Sequence, residues 1–198
     1  RKFLDLIDAR RECFTPDIHV NAVIQDGGKA PNIIPDYAKI RMEFRTDSMA
    51  KLLQVDEMIK KCANAAAMAL DCTVSLKFGL SDFADMVRVE PLEKSISEYL
   101  SDFGHKVGDV SPATGSSDMG NVSYRCPAIQ PLLSITDDNL ALHTTAFRDA
   151  TLKPQAHESI ACGAASMTAL ALKILNDADY RSNVHHSWET SLKKKENI

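Results

Sequence analysis

The sequence predicts an α/β fold in two parts, and three observations carry that reading. Residues 18–25 and 38–46 alternate apolar with polar side chains, the period of half-buried strands. Residues of about 49–70 and 155–177 repeat their apolar side chains at helical spacing or are apolar nearly all round. At about 79–90 the pattern changes character, which places a first domain at 1–80 and a second at 81–198.

In the first part, Phe3, Leu4, Leu6, Ile7 and Phe14 have loose helical spacing, so 1–14 reads as a helix. The first strand then places Ile18, Val20, Ala22 and Ile24 on one face and His19, Asn21, Val23 and Gln25 on the other. Asp26-Gly27-Gly28 is a turn signal, and Pro31 and Pro35 bracket Asn32-Ile33-Ile34 so that no helix forms there. The second strand turns Ile40, Met42 and Phe44 inward, leaving Lys39, Arg41, Glu43 and Arg45 on its polar face. Ser48 is a good N-cap for a helix whose stripe is Leu52, Val55, Ile59, Cys62 and Ala66. Val74, Leu76 and Phe78 alternate again and predict a third strand. The order is αββαβ, a small sheet with helices on one face.

In the second part, Pro91 opens a helix bearing Leu92, Ile96, Tyr99, Leu100 and Phe103 that stops at Gly104. Small and polar residues over 111–121 predict a loop, and short apolar runs follow at Val122 and 128–135. A further loop runs through Asp137-Asp138-Asn139 before the helix at 155–177, which is expected to lie buried against a sheet. His185-His186 and Lys193-Lys194-Lys195 fall in a polar stretch that reads as a solvated tail.

Composition bounds the function. Over 198 residues, 44% are hydrophobic and 25% charged, enough for a packed core, and a net charge of -4 gives no footprint for nucleic acid. Five scattered cysteines without a C-x-x-C pair suggest buried free thiols in a reducing, cytoplasmic setting. No apolar run of about 18 residues is present, so no membrane span is expected. The chain opens at Arg1-Lys2 without a signal pattern and reads as starting within something longer.

Three local features could carry chemistry. Gly115-Ser116-Ser117-Asp118-Met119-Gly120 is neither a nucleophile elbow, because Met119 stands where glycine is required, nor a phosphate loop, because Asn121 stands where lysine is required. It remains a small-residue loop whose amides could cradle an anion, with Asp118 placed to cap or orient. His143 lies in a loop ahead of the last apolar helix and could ligate a metal. Arg45 could hold a carboxylate bidentately, or pair with its neighbour Glu43. The residues alone stop at an α/β protein with a possible anion site.

Four segments in order add to this. Ile18-His19-Val20, then Asp26-Gly27-Gly28-Lys29-Ala30-Pro31-Asn32-Ile33-Ile34-Pro35-Asp36, then Phe44-Arg45, resembles the lid domain of M20 metallopeptidases, in particular the amidohydrolase branch with aminoacylases, aminobenzoyl-glutamate hydrolases and dipeptidases. The Ala-rich 62–72 segment, Gly115–Ser123 and the His143-Thr144 loop follow in the same order, so the resemblance runs from about residue 1 to 176. It implies a ferredoxin-like lid and dimerisation domain lacking its first strand, followed by the C-terminal part of a zinc-peptidase-like α/β catalytic domain. It further implies that Asn32 and Arg45, thirteen residues apart, hold the substrate's carbonyl or carboxylate. Gly115, Ser116 and Ser117 would border the pocket, and His143 would be the last ligand of a divalent metal pair, zinc or else manganese or cobalt.

The family's H-x-D ligands and adjacent Glu-Glu pair, which supplies the general base, have no counterpart here, so no catalytic residue is expected in this chain. The implied activity of the complete enzyme is metal-assisted hydrolysis of the amide bond of N-acyl amino acids or dipeptides. The 198-residue chain alone is expected to be inactive. A homodimer through the lid and a small carboxylate-bearing substrate are the implied partners. The alternative is a non-catalytic protein that keeps the lid for dimerisation and binds a small carboxylate.

Overall fold

The computed structural model describes residues 1–79, 82–108 and 115–196. They fall into two compact units, Arg1–Asp85 and Met86–Ile198.

The first unit holds helix α1 (Lys2–Asp8), strands β1 (His19–Asp26) and β2 (Lys39–Arg45), and helix α2 (Met49–Ala69). The strands pair antiparallel, with Val20 opposite Phe44, Ala22 opposite Met42 and His19 opposite Arg45. The alternation seen in the sequence becomes two faces in β2, but in β1 only Val20 is buried, and Ala22 and Ile24, expected to face inward with it, are exposed. Val20, Met42 and Phe44 join Ile7, Val55, Ile59 and Cys62 in the core, while His19, Asn21, Glu43 and Arg45 stay exposed. Alpha helix α2 meets the sheet along its Val55-Ile59-Cys62-Ala66 stripe, as its spacing requires.

Three expectations need correction here. The first helix ends at Asp8, and Arg11–Cys13 forms a separate 3-10 turn. There Arg11 turns back, donating to Asp8 Oδ1 at 2.6 Å and to the Val20 carbonyl at 3.1 Å. Ser48 occupies the N-cap of α2, but its side chain makes no capping bond; the Met49 amide donates instead to Asp85 Oδ1 at 3.0 Å. The third strand of the αββαβ order does not form, because the sheet has two strands and 72–79 carries no regular secondary structure. Alternation specifies which side chains share a face but supplies no edge to pair with. Phe78 lies under the Lys60 ammonium, 5.1 Å from ring centroid to Nζ, and that contact ties the segment to α2.

The second unit is helical among its described residues: α3 (Glu90–Asp102), α4 (Met119–Ser123), α5 (Thr145–Ala150), α6 (Pro154–Asn176) and α7 (Ala178–Glu196). Its core is Val89, Leu92, Ile96 and Leu100 from α3 and the residue before it, Leu170 from α6 and Val184 from α7, with Tyr99, Ile129, Leu133, Ile174, Tyr180 and Trp188 packed around them. At Gly163 the side chain of Leu133 comes so near that an added Cβ would sit 3.1 Å from its Cδ1. Glycine is what permits that approach.

Two further expectations change. The polar stretch read as a tail is the 19-residue helix α7. Its Tyr180, Val184 and Trp188, four residues apart, form a narrow stripe that docks. Helix α6 is covered on one side only: Gly163, Ser166 and Leu170 are buried, but Ile160, Met167, Leu172 and Leu175 are 54–73% exposed. No sheet covers it among the described residues. By length and composition this helix also passes as a membrane span, a test that core helices pass equally. The chain is mixed α/β as its sequence implied, with its sheet confined to the first unit among the described residues.

Candidate substrate-binding site

The candidate residues fall in both units. In the first, the turn after β1 is shaped by Gly28 at φ +107°, where a Cβ would lie 2.6 Å from Pro35 Cγ. Only glycine lets the loop lie down on that proline. Asn32 sits exposed in this loop, where the Ile33 amide donates to the Ala30 carbonyl at 3.3 Å.

Arg45 stands at the other end of β2. Its ladder partner is His19, whereas the loop bearing Asn32 joins the strand at Lys39. Six strand steps separate Lys39 from Arg45, about 20 Å. Strand register therefore does not bring Asn32 and Arg45 together. Arg45 Nε donates to Glu43 Oε1 on the same exposed face, so the bland neighbour pairing is the one observed.

In the second unit, residues 111–114 of the predicted loop lie outside the described residues. Gly115 takes φ +138° with open space around it, and Gly115 and Ser116 are exposed. Ser117 Oγ accepts from the Met119 amide at 3.2 Å and so begins α4. Asp118 occupies the N-cap but makes no capping bond, so the capping expected of it falls to Ser117. The helix ends at Ser123, fully buried, whose Oγ donates to the Gly120 carbonyl at 2.6 Å and accepts from the Val87 amide at 2.9 Å. Nothing in a run of small residues marked Ser123 in advance. Its role appears only once the chain before α3 returns beside it.

His143 is exposed and takes the left-handed φ of +63°, one of two non-glycine residues to do so among the described residues. Such a conformation costs of order 1 kcal/mol or more and collects at sites where a side chain must be presented. The next residue fixes it: Thr144 Oγ1 accepts from the Phe147 amide at 3.2 Å, capping α5, and donates to the Ala141 carbonyl at 2.8 Å. Among the described residues, no three His, Cys, Asp or Glu side chains gather where they could hold a metal ion.

The comparisons with known proteins meet this geometry at the first unit. Residues 2–70 match the family model described as the peptidase dimerisation domain, of the M20 type. Residues 2–70 are an M20 dimerisation domain. Asn32 and Arg45 both lie within the M20 domain, at the loop and at the far end of its second strand. The chain is 28% identical over 194 residues to the Xaa-Arg dipeptidase of Homo sapiens, covering 94% of this chain and 43% of that protein. It is 31% identical over 148 residues to the Xaa-Arg dipeptidase of Mus musculus, covering 71% of this chain and 33% of that protein. The human match at 94% coverage takes in the Gly115–Ser117 loop and His143 beyond the M20 domain. The chain spans less than half the length of these curated relatives.

Proposed function

We propose that the complete protein hydrolyses the amide bond of small substrates with a free C-terminal carboxylate, dipeptides ending in a basic residue first among them. The observation that supports this reading is the similarity to a Xaa-Arg dipeptidase along 94% of the chain, with an M20 dimerisation domain at its start. N-acyl amino acids are the second substrate class to try.

The roles proposed for this chain are those of binding. The Arg45 guanidinium takes the substrate carboxylate, leaving Glu43 to do so. Asn32, which strand register does not bring beside Arg45, is proposed by itself as a donor to a substrate carbonyl, and the Gly115, Ser116 and Ser117 backbone of the second unit by itself as a border of the substrate. His143 is proposed as a single metal ligand. A two-metal centre does not fit the described residues by themselves, among which no three His, Cys, Asp or Glu side chains gather where they could hold a metal ion. The M20 domain supports a homodimer formed through the first unit, and the five free thiols, of which Cys62 is buried and Cys13, Cys72 and Cys126 are exposed against the expectation of burial, favour a cytoplasmic setting.

The test is an assay of the complete natural protein beside the 198-residue chain, each with added zinc, cobalt or manganese. The panel is Ala-Arg, Ala-Lys, N-acetylalanine and the amide of Ala-Arg. Turnover of the free dipeptides by the complete protein, with none by the short chain, is the expected result. A complete protein that binds these compounds and cleaves none would leave the carboxylate-binding dimerisation module as the better reading.

A further inference from the structure

We propose that the C-terminal helix α7 positions the candidate substrate loop, and that it does so through Trp188. The proposal rests on the reading that Gly115–Ser117 borders the substrate.

The loop runs without a break into α4, a helix of five residues. One turn of helix cannot hold itself in water, because nucleation fixes several residues for a single hydrogen bond. Its shape must therefore come from groups outside it. At the loop end, Ser117 Oγ receives the Met119 amide, and the Gly120 amide donates to the Ser117 carbonyl at 3.3 Å. At the far end everything converges on Ser123. Its hydroxyl is spent on Gly120 and Val87, and its carbonyl, one of the acceptors a helix terminus leaves open, receives the Trp188 indole N–H at 2.7 Å. Any displacement of Trp188 is passed to Ser123, from there to Gly120, and so to the loop.

The indole is itself well fixed. The His185 ring meets it edge-to-face with centroids 5.4 Å apart, and His185 Nδ1 is 3.3 Å from Glu189 Oε1 on the next turn. Val184, one turn earlier, is 5% exposed in the core. Two turns before Trp188, Tyr180 Oη lies 2.9 Å from both the Pro91 carbonyl and Ser95 Oγ, and Lys173 Nζ donates to Ser95 Oγ at 3.1 Å. Helix α7 thus has polar anchors of different kinds. Tyr180 joins it to α3 and α6, and Arg181 Nη1 donates to the Ile174 carbonyl of α6 at 2.7 Å. The Trp188 anchor reaches α4.

Trp188→Phe in the complete protein separates this anchor from the others, since it keeps an aromatic side chain, though a smaller one, and removes the indole N–H. The expected result is roughly tenfold faster amide exchange over residues 119–125. Exchange in α3 and α6 stays unchanged, and KM for Ala-Arg rises about tenfold at constant kcat. Tyr180→Phe is the control and should leave both readouts near wild type. If Trp188→Phe does not fold, 3-benzothienylalanine at 188, which replaces the N–H by sulfur at the same shape, makes the same test. Unchanged exchange over 119–125 would overturn the positioning role whether or not the protein is a dipeptidase. Faster exchange with unchanged KM would overturn its link to substrate, and equal effects from Tyr180→Phe would reduce α7 to a packing helix. Absence of any dipeptide turnover in the wild type counts against the proposed function, and the exchange measurement still decides the positioning role.

Discussion

Arg45 faces His19 across the ladder and leans on Glu43, both on the exposed side of the sheet. An exposed pair of that kind contributes about 0–1 kcal/mol, while a charge-assisted bond to a substrate carboxylate contributes roughly 1.5–3 kcal/mol. On the role proposed for Arg45, the carboxylate wins that exchange. Arg45→Ala should therefore raise KM of the complete protein for Ala-Arg by roughly 10- to 150-fold and leave the amidated dipeptide unaffected, as initial-rate kinetics on the two substrates would show. Equal losses on both would make Arg45 a structural residue.

Asp17 gives the pH dependence. Hydrogen bonds from Thr15, from Lys51 at 3.0 Å and from the Asp47 amide hold its carboxyl well below the usual carboxylate range. A carboxylate depressed in the folded state stabilises fully above its unfolded pKa of about 3.9, and that contribution fades as pH falls through the folded value. Thermal melts between pH 7 and pH 2 should show Asp17→Asn losing less stability on acidification than the wild type. Of the residue-scale features, the chemical types at Asn32, Arg45 and His143 were legible from the sequence. The left-handed backbone at His143 was not, because it is set by the Thr144 cap and not by the histidine itself.

The helices were legible wherever apolar side chains repeat over several turns, as in α2, α3 and α6. Helix α7 carried the same signal in its thinnest form, three apolar residues at i, i+4 and i+8 amid charges, and the His-His and Lys-Lys-Lys runs drew attention away from it. The 74–78 segment misled in the opposite sense, since its alternation is real but no neighbouring strand takes its hydrogen bonds. In the second unit the α6 backbone lies close to the Leu133 side chain at Gly163. Gly163→Ala gains about 1 kcal/mol of helix propensity against a squeeze that the Leu133 side chain can relieve, so its melt should move little. Gly163→Val adds branches with nowhere to go and should destabilise by about 1–3 kcal/mol in urea titration.

Each unit has its own core, one built on Ile7, Val20, Val55 and Ile59, the other on Leu92, Ile96, Leu170 and Val184. Ile59 is 3% exposed, and Ile59→Ala should cost the first unit about 2–5 kcal/mol. Amide exchange should then quicken through α2 and β1 while α3 and α6 keep their protection; a uniform change would mean that the two cores unfold as one. The structure divides between Asp85 and Met86, and the sequence changes pattern at about 79–90. What could not be read was how much of α6 the second part would cover, because a helix apolar nearly all round announces burial without saying what supplies it. That uncovered stripe of Ile160, Met167, Leu172 and Leu175 also governs how the 198-residue chain behaves in a tube. Sulfate is excluded from protein surfaces and strengthens the burial of apolar area, so adding ammonium sulfate should drive this chain into light-scattering assemblies well before an average protein salts out. A Met167→Lys substitution, which interrupts the stripe at its middle, should move that threshold to higher salt.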